Sequence, residues 1–380
     1  MPWKGALTVS DLRWLFVQQV QRQDLSLAAA CRLYGISRKT AYKWRHRFHA
    51  GGRTALHDQS RRPHHSPGRT DPELELLIVQ THQCFHWGAA KIHAYLTAQQ
   101  ARPLPSVTTV HAVLKRHQQL HPPHASEEPV QRFELPGPND LWQMDFKGPL
   151  EIQRSRIHPL SILDDHSRYL LTLVGCETTR YEPIWAILWN LMGEVGMPQS
   201  LLCDNYFNSR SHDCGIGLSW FDSQLIRLGI RPTHGRPFHP QTQGKVERLH
   251  RTLQAELWPD LNTSSLSALN QQFERWRTEV YNSIRPHEAL AGQPPLSRYR
   301  PSPRPRPAHL PNVEYPVGSI LRRVQPAGCI SYRSCRLLVG AGLAGQYVRL
   351  EEQEPVLQIF YGDYPLRPIP LDQVKAQTTI

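Results

Sequence analysis

The spacing of apolar residues is helical over the first third of the chain and changes to strand spacing in the middle. Residues 9–50 predict three helices, because Ser26 and Ser37 stand where N-caps are needed and Gly35 provides a turn between the last two. A helix, a short glycine turn and a second helix have the spacing of a helix-turn-helix unit. We therefore predict an all-α domain at residues 1–50.

The second helix of this unit has one apolar and one basic side. Ala41, Trp44 and Phe48 recur at i, i+3 and i+7 and are predicted to face the core. The open side is predicted to contact DNA in a major groove through Arg38, Lys39, Tyr42 and Lys43. The alternative is an ordinary three-helix bundle with a solvated basic face.

Two further segments separate this unit from the centre of the chain. Residues 51–70 are rich in Arg, His, Pro and Gly and predict an extended basic arm, with Arg61 and Arg62 as its DNA contacts. Residues 71–120 predict a second helix-turn-helix-like domain of near-zero net charge, so that a DNA-binding and a purely structural role stay equally open. Residues 121–138, full of His, Pro and Glu, predict a linker.

From residue 139 the pattern predicts an α/β domain that extends to residue 299. Three short apolar or alternating runs predict a strand meander, and helices then alternate with short strands. This order of elements is typical of a layered fold with a mixed sheet. The last strand precedes a long helix in which Val246, Leu249 and Leu253 form an apolar stripe.

The remaining chain predicts a connector and a small β domain. Residues 300–312 predict an extended proline-arginine linker. Residues 313–380 contain short alternating runs separated by glycine or polar turns, which predict a small β-barrel. DNA or subunit contacts through Arg322, Arg323 and Arg333 and a passive stabilising role are equally open.

Charge narrows the class of partner. The 380-residue chain carries a net charge of +12 with a pI near 9.5. Residues 1–70 hold thirteen Lys and Arg against three Asp and Glu, so most of the excess lies at one end. A concentrated basic region favours a polyanionic partner, because binding to nucleic acid releases counterions.

Cysteine usage and hydropathy indicate the compartment. The seven cysteines are scattered without a CxxC pair, which predicts a reducing cytosol rather than a disulfide framework. We expect no signal peptide, no membrane span and a cytoplasmic, nucleoid-associated protein. The alternating His82, Cys84 and His86 favour a zinc site only weakly.

Three acidic residues stand out by their settings. Asp145 and Asp204 lie at the ends of predicted strands, and Glu247 lies in the first turns of the long helix. Carboxylates brought together from two strands and a helix form an oxygen-rich site suited to Mg²⁺ or Mn²⁺. The sequence therefore predicts a divalent-metal site of the kind used in phosphoryl transfer.

Several segments in order carry a family resemblance. They resemble the integrase core of DDE transposases from bacterial insertion sequences, and the upstream ISRKTAYKWRHRF and LHDQSRRP resemble the N-terminal region of the same proteins. The match covers roughly residues 10–300, and its core segments are LWQMDFKG, ILDDHSRYLL, LLCDN, HPQTQGKVERLHRTL and YNSIRPHEALAGQPPLSRY. The resemblance implies a central ribonuclease-H-like fold, shared with retroviral integrases.

The resemblance also implies an activity and its site residues. Asp145, Asp204 and Glu247 match the catalytic triad, which holds two Mg²⁺ or Mn²⁺ ions. The neighbouring Lys245 and Arg248 either offset the negative charge of Glu247 or hold the DNA backbone against the ions, and the sequence leaves both roles open. The implied partners are double-stranded DNA, as element terminal repeats and target, and further copies of the chain, since two ends are processed together. The chain has no GxxxxGK[ST] motif, so we expect no ATP use.

The chain departs from the family pattern in two places. Tyr206 stands where glycine is common, and 43 positions separate Asp204 from Glu247, several more than is typical. We interpret residues 210–217 as a surface loop that absorbs the extra length. The alternative functions are a catalytically inactive DNA-binding regulator, such as a decayed copy, and a stand-alone nuclease.

Overall fold

The computed structural model divides the chain into two compact units, residues 1–69 and 70–380. This division is coarser than the predicted succession of domains and linkers. The structure describes residues 8–59, 69–99, 103–119, 134–203, 218–234, 244–366 and 368–375.

The first unit contains the predicted helix-turn-helix. Its helices are α1 (Val9–Gln21), α2 (Leu27–Leu33) and α3 (Arg38–Gly51). The side chains of Ser26 and Ser37 accept hydrogen bonds from the third backbone N–H that follows each, as N-caps do. Gly35 turns the chain between α2 and α3 at φ 60°. Both predicted caps and the glycine turn are confirmed.

Part of the predicted basic arm is folded. Residues Arg53–Leu56 form a 3₁₀ turn, and the side chain of Leu56 is fully buried in the core of the first unit. The guanidinium of Arg13 on α1 donates to the carbonyl of Leu56 at 2.8 Å. Arg61 and Arg62 lie outside the described residues.

The second unit begins with a helical region whose elements match the prediction. Asp71 caps the first helix, with Pro72 at its first position, and Ser106 caps the third. Their shared core is built around the fully buried Trp87. The helices are α4 (Pro72–Phe85), α5 (Ala89–Ala98) and α6 (Val107–Arg116).

The predicted mixed sheet forms the centre of this unit. Strand β1 pairs antiparallel with β3 and parallel with β5, while β6 continues the parallel side and both β2 and β4 pair with β3. Hairpins thus connect the strands of the antiparallel half of the sheet, and helical crossovers connect those of the parallel half. The strands are β1 (Leu141–Phe146), β2 (Leu150–Ile152), β3 (Ser155–Asp164), β4 (Leu170–Cys176), β5 (Ser200–Cys203) and β6 (Arg231–His234).

Helices cover the two faces of this sheet. One core packs α7 and α8 against the sheet residues Trp142 and Met144, and the other packs α9 and α10 against Leu163 and Leu170. None of the helices in the described residues is long and apolar enough to cross a membrane. The helices are α7 (Tyr181–Val195), α8 (Trp220–Arg227), α9 (Gly244–Glu256) and α10 (Leu266–Arg275), the last continued by a π-helical turn, Trp276–Tyr281.

The predicted proline-arginine linker is a strap fixed to the core. The guanidinium of Arg304 donates to the carbonyls of Leu228 and Gly229 at 3.2 and 3.0 Å, and that of Arg306 lies 4.2 Å from the ring centre of Trp189. These arginines therefore contact backbone carbonyls and an aromatic ring.

The C-terminal strands form where they were predicted, but barrel closure is not confirmed. In the described residues β7 is an edge of a five-stranded sheet with β10 to β13, and β8 and β9 form a separate two-stranded sheet. A barrel needs hydrogen bonding to continue around the sheet, and here it stops at β7. The elements are β7 (Ile320–Arg323), β8 (Cys329–Tyr332), β9 (Cys335–Leu338), β10 (Tyr347–Gln353), β11 (Val356–Tyr361), β12 (Tyr364–Pro365), β13 (Ile369–Pro370) and α11 (Leu371–Lys375).

Candidate active site

Asp145 lies near the end of the central strand. Trp142 and Met144 on β1 point into the core beneath α7, so Asp145 points to the opposite face, where its side chain is 19% exposed. In the parallel pairing with β5, Met144 lies opposite Cys203, the last residue of that strand. Asp204 follows Cys203 but lies outside the described residues, as do Tyr206 and residues 210–217.

Glu247 lies in the first turn of α9, as predicted. Val246, Leu249 and Leu253 bury the apolar stripe of this helix against the sheet, which leaves Glu247 on an exposed side. The N-terminal end of a helix favours a carboxylate, because the unpaired backbone N–H groups are partially positive.

His250 connects this helix to Asp145. Its Nε2 lies 3.1 Å from Oγ of Ser161, whose hydroxyl in turn lies 3.2 Å from the carbonyl oxygen of Asp145. Its Nδ1 lies 3.7 Å from Oδ2 of Asp145. Burial, with a smaller effect from the charge of Lys147, lowers the pKa of His250 to about 4. The helix that carries Glu247 is thus held against the strand end that carries Asp145.

The turn after β3 is braced by two buried carboxylates. Asp164 accepts from the backbone N–H groups of Asn139 and Ser167 at 2.7 and 2.8 Å, and Asp165 accepts from that of Leu135 at 2.9 Å. Burial raises the pKa of Asp164 despite these hydrogen bonds. These hydrogen bonds hold the turn in place.

Arg168 adds a further link at this turn. Its guanidinium donates to the carbonyl of Asp165 and pairs with the carboxylate of Glu134 at 2.7 Å.

Two cations near Glu247 have different environments. The ammonium of Lys245 pairs with the buried carboxylate of Asp165, and its side chain is only 16% exposed. Burial lowers the pKa of Lys245 although the hydrogen bond to Asp165 opposes the shift. Arg248 is 70% exposed and makes a long ion pair, 3.4 Å, with Glu288. The position of Arg248 suits a DNA contact, whereas Lys245 serves the braced turn.

Family models match four parts of the chain. A helix-turn-helix domain matches residues 13–64 and a homeodomain-like domain matches residues 40–114. Two integrase core domain models match residues 136–240 and 228–295, which contain Asp145, Asp204 and Glu247.

One relative aligns with most of the chain. A protein of Geobacillus stearothermophilus named as a transposase for insertion sequence element IS5376 is 23% identical over 352 residues, which cover 90% of this chain and 82% of that protein. The chain thus combines the helix-turn-helix and integrase core domains of an insertion-sequence transposase. The Gag-Pro-Pol polyprotein of simian retrovirus SRV-2 is 34% identical to this transposase over 121 residues, which are 32% of the chain and 6% of the polyprotein.

Solved structures of retroviral integrases resemble this transposase at lower sequence identity. An intasome of simian T-cell lymphotropic virus in complex with a PP2A regulatory subunit is 17% identical with a TM-score of 0.36, covering 78% of this chain and 96% of that one. The HTLV-2 integrase catalytic core domain in complex with magnesium is 16% identical with a TM-score of 0.29, covering 43% and 98%.

The motif after α10 has a structural role in this transposase. The side-chain amide of Asn282 accepts from the N–H of Leu170 and donates to its carbonyl, both at 2.9 Å. Arg285 pairs with the buried carboxylate of Glu256 through two hydrogen bonds of 2.7 and 2.8 Å. These contacts tie the segment after α10 to the sheet and to α9.

Glu256 also anchors the helical region of residues 72–116. Its carboxylate accepts from the indole N–H of Trp87 at 3.0 Å and from the ammonium of Lys91 at 2.7 Å. We call Glu256 with Trp87, Lys91 and Arg285 the Glu256 cluster. The last turn of α9 is therefore connected to the second predicted helix-turn-helix.

The predicted DNA-side residues differ in how far they are exposed. All four predicted contact residues of α3 are exposed, namely Arg38, Lys39, Tyr42 and Lys43. On α6, Arg116 pairs with the buried carboxylate of Glu75 and is structural, whereas Thr108, His111 and Lys115 are exposed.

The weakly favoured zinc site has no support in the structure. Nδ1 of His82 lies 2.8 Å from the carbonyl oxygen of Trp87, and Nε2 of His86 lies 2.8 Å from Asp260. The two imidazoles are thus engaged with different partners.

Sequence reasoning missed Ser161, His250 and Glu256. His250 is three residues after Glu247, which places both on neighbouring positions of one helix. That spacing could have placed His250 at the site. No sequence pattern could have placed Ser161 or Glu256 there, because a polar residue inside an apolar run does not reveal its partner.

Proposed function

We propose that this transposase cleaves DNA strands at the ends of an insertion sequence and joins them to target DNA, with Asp145, Asp204 and Glu247 as its catalytic acids. The observation that carries the proposal is the contact of His250 with Asp145, which brings the helix of Glu247 to the end of β1. This contact occurs within the segment that matches integrase core domains.

The donor set fits a hard divalent ion. Carboxylate oxygens are the ligands that Mg²⁺ and Mn²⁺ prefer, and both described acids are accessible. The described residues contain no group of three or more His, Cys, Asp or Glu side chains placed to hold a metal, and Asp204 is outside them. We propose two Mg²⁺ or Mn²⁺ ions per site, held by the three acids.

The bound ions would activate the attacking water or 3′-hydroxyl and stabilise the leaving 3′-oxygen. The chain's own contribution is positioning. Asp145 is carried by the strand and Glu247 by a helix whose apolar stripe is buried, so the backbone positions of both are fixed before DNA arrives. Such preorganisation matters because phosphoryl transfer depends mainly on positioning and electrostatic stabilisation.

We propose that the exposed face of α3 reads the element ends. Its four exposed residues lie on the second helix of a helix-turn-helix, the position that enters the major groove. Arg61 and Arg62 would follow the adjacent backbone or minor groove, and Arg248 would contact a phosphate near the catalytic acids. Since two ends are joined in one event, we propose a homo-oligomer on DNA.

The direct test is incubation of the purified protein with labelled element ends, a target plasmid and Mg²⁺ or Mn²⁺. Joined products are expected without added ATP. Cleavage without joining would indicate a nuclease instead. Retarded but intact DNA would indicate a catalytically inactive DNA-binding regulator.

A further inference from the structure

The buried carboxylate of Asp165 contacts both elements that carry the described acids. The side-chain amide of Gln143 on β1 donates to Oδ1 of Asp165 at 2.7 Å, and the ammonium of Lys245 on α9 donates to the same oxygen. Gln143 lies two residues before Asp145, and Lys245 lies two residues before Glu247. One carboxylate oxygen therefore receives a donor from each acid-bearing element.

The backbone of Asp165 strengthens both links. Its N–H donates to the carbonyl of Leu141 on β1 at 2.9 Å, and its carbonyl accepts from the ammonium of Lys245 at 3.2 Å. Gln143 and Asp145 lie on the same face of β1, because side chains two positions apart on a strand point the same way. Lys245 lies in the first turn of α9. The Asp165 links thus fix the start of α9 relative to the acid-bearing face of β1.

The side chain of Gln143 makes its link at a cost in stability. The Asp165 carboxylate accepts, so the NH₂ group of Gln143 faces it and Oε1 points away. This oxygen is buried, and no residue that the structure describes donates to it. A buried carbonyl oxygen without a donor is unfavourable, and an apolar side chain at this position would avoid that loss. The benefit of Gln143 is therefore the connection between β1 and Asp165.

The neighbouring Asp164 shows what bracing of the turn alone requires. Its carboxylate is equally buried and accepts from the backbone N–H groups of Asn139 and Ser167 at 2.7 and 2.8 Å. Both donors lie outside β1 and α9, so these hydrogen bonds hold the turn without connecting the two acid-bearing elements. Two adjacent carboxylates in one turn thus have different partners.

We propose that Asp165 is a positioning residue of the catalytic centre, which sets the placement of Glu247 relative to Asp145. The inference rests on the proposed function, because it takes these two residues as catalytic acids. It adds that their relative placement is determined by a third carboxylate, acting through Gln143 and Lys245. Phosphoryl transfer is sensitive to such placement, since a displacement of ~1 Å can lower a rate about 100-fold.

The test separates positioning from stability. Asp165→Asn keeps the size of the side chain and removes the charge that pairs with Lys245. Asp164→Asn, the matched control, makes the same change one position earlier in the same turn. The double variant Asp165→Asn with Lys245→Met leaves no uncompensated buried charge, so its stability should recover while the link to α9 stays absent. We would measure Tm, the Kd for labelled element ends, and the joining rate constant at saturating ends in Mg²⁺ or Mn²⁺.

Asp165→Asn is expected to lower the joining rate constant about 10- to 100-fold with an unchanged Kd. The Kd should not change because the proposed DNA-reading helix α3 belongs to the first unit. Asp164→Asn should join at close to the wild-type rate at temperatures where it is folded. The double variant should regain the wild-type Tm and still join as slowly as Asp165→Asn.

Three results would overturn the inference and leave the proposed function intact. These are wild-type joining by Asp165→Asn, an equal loss of joining in Asp164→Asn, and joining that recovers together with Tm in the double variant. Should Asp165→Asn alone not fold, the double variant against Asp164→Asn decides in the same way. A wild-type protein that binds element ends but joins none with either ion would overturn the proposed function, and this inference with it.

Discussion

At the scale of single residues, Lys245 and Arg248 show that position decides what a cation does. Both stand near Glu247 on α9, yet Lys245 neutralises a carboxylate that is fully buried, and Arg248 projects into solvent. Removing one partner of a buried ion pair leaves an uncompensated buried charge. The loss of stability is far larger than when one partner of an exposed ion pair is removed.

We therefore expect Lys245→Met to lower the free energy of unfolding by about 3 kcal/mol. The matched variant Arg248→Ala should leave the melting temperature nearly unchanged but weaken DNA binding. Thermal unfolding and a DNA titration on both variants check this. Equal stability of the two variants would refute the structural role given to Lys245.

The same residues show what a sequence can and cannot provide at this scale. The positions of Asp145 and Glu247 follow from strand and helix periodicity, because each lies at a recognisable end of an element. The partner of Lys245 does not follow, since Asp165 is 80 positions away and only the fold brings the two together. The charge pattern alone left charge compensation and a phosphate contact both open for Lys245.

At the scale of elements, α9 connects three parts of the second unit. Its first turns carry Glu247, its middle contacts Asp145 through His250, and its last turn carries Glu256. Burial alone would raise the pKa of Glu256, but the hydrogen bonds and charges of Arg285 and Lys91 outweigh it and the pKa is lowered. The carboxylate is therefore charged within the Glu256 cluster.

Glu256→Ala is expected to lower the free energy of unfolding by about 3 to 5 kcal/mol, because Arg285 and Lys91 lose their buried partner. Protease cleavage between the helices of residues 72–116 should also become faster. Glu279→Ala is the control, since Glu279 is exposed and pairs with the exposed Arg275 at 3.5 Å. If Glu279→Ala and Glu256→Ala unfold at the same temperature, the cluster does not anchor these helices.

His287, beside Arg285, makes this region sensitive to acid. Burial, and then the charge of Arg285, lowers the pKa of His287 from 6.5 to about 2. Below about pH 6.5 the imidazole of His287 is protonated in the unfolded chain but stays neutral in the folded chain. The contribution of His287 to the free energy of unfolding is therefore present above pH 6.5 and is lost as the pH falls.

The measurement is the free energy of unfolding between pH 7 and pH 4. In His287→Gln it should fall less steeply on acidification than in the wild type, by about 1 kcal/mol per pH unit. His111→Gln on α6 is the exposed control and should keep the wild-type slope. Parallel slopes in all three proteins would rule out the buried neutral imidazole.

Elements were more predictable than their contacts. Caps at Ser26, Ser37 and Ser106 and the alternating strands placed the helices and strands because these signals are local. The docking of residues 72–116 through Glu256 was not predictable, since it joins side chains 165 to 169 positions apart. The strap at residues 300–312 was missed for the same reason: its arginines bind backbone carbonyls, which have no sequence signature.

At the scale of the whole molecule, charge is unevenly shared along the chain. Most of the excess of +12 lies in residues 1–70, where α3 exposes its cations. DNA binding by such a region depends on counterion release, so affinity falls linearly on a log–log plot against salt.

Replacing both Lys39 and Lys43 by alanine should reduce the magnitude of this salt slope by about 1.8. DNA titrations with element ends between 50 and 200 mM salt would measure it, with Arg275→Ala on α10 as the control of unchanged slope. An unaltered slope in the double variant would show that α3 does not contact phosphates.

The sheet at the C-terminus shows the limit of prediction at this scale. Short alternating runs identified the strands of residues 313–380. The number of strands does not determine whether a sheet closes, because closure depends on tilt and register. The close approach of Gly342 to Ser219 positions the C-terminal strands on the integrase core. A Cβ added at Gly342 would lie 2.0 Å from the backbone of Ser219, because the turn at Gly342 lies directly against the start of α8.

The central claim is that Asp145, Asp204 and Glu247 act together as metal-binding catalytic acids. The most direct measurement is strand joining by Asp145→Asn, Asp204→Asn and Glu247→Gln with labelled element ends in Mg²⁺, after each variant is shown to bind these ends. The account predicts that all three bind DNA and none produces cleaved or joined product above background. Joining by any one of them at a rate near that of the wild type would contradict it.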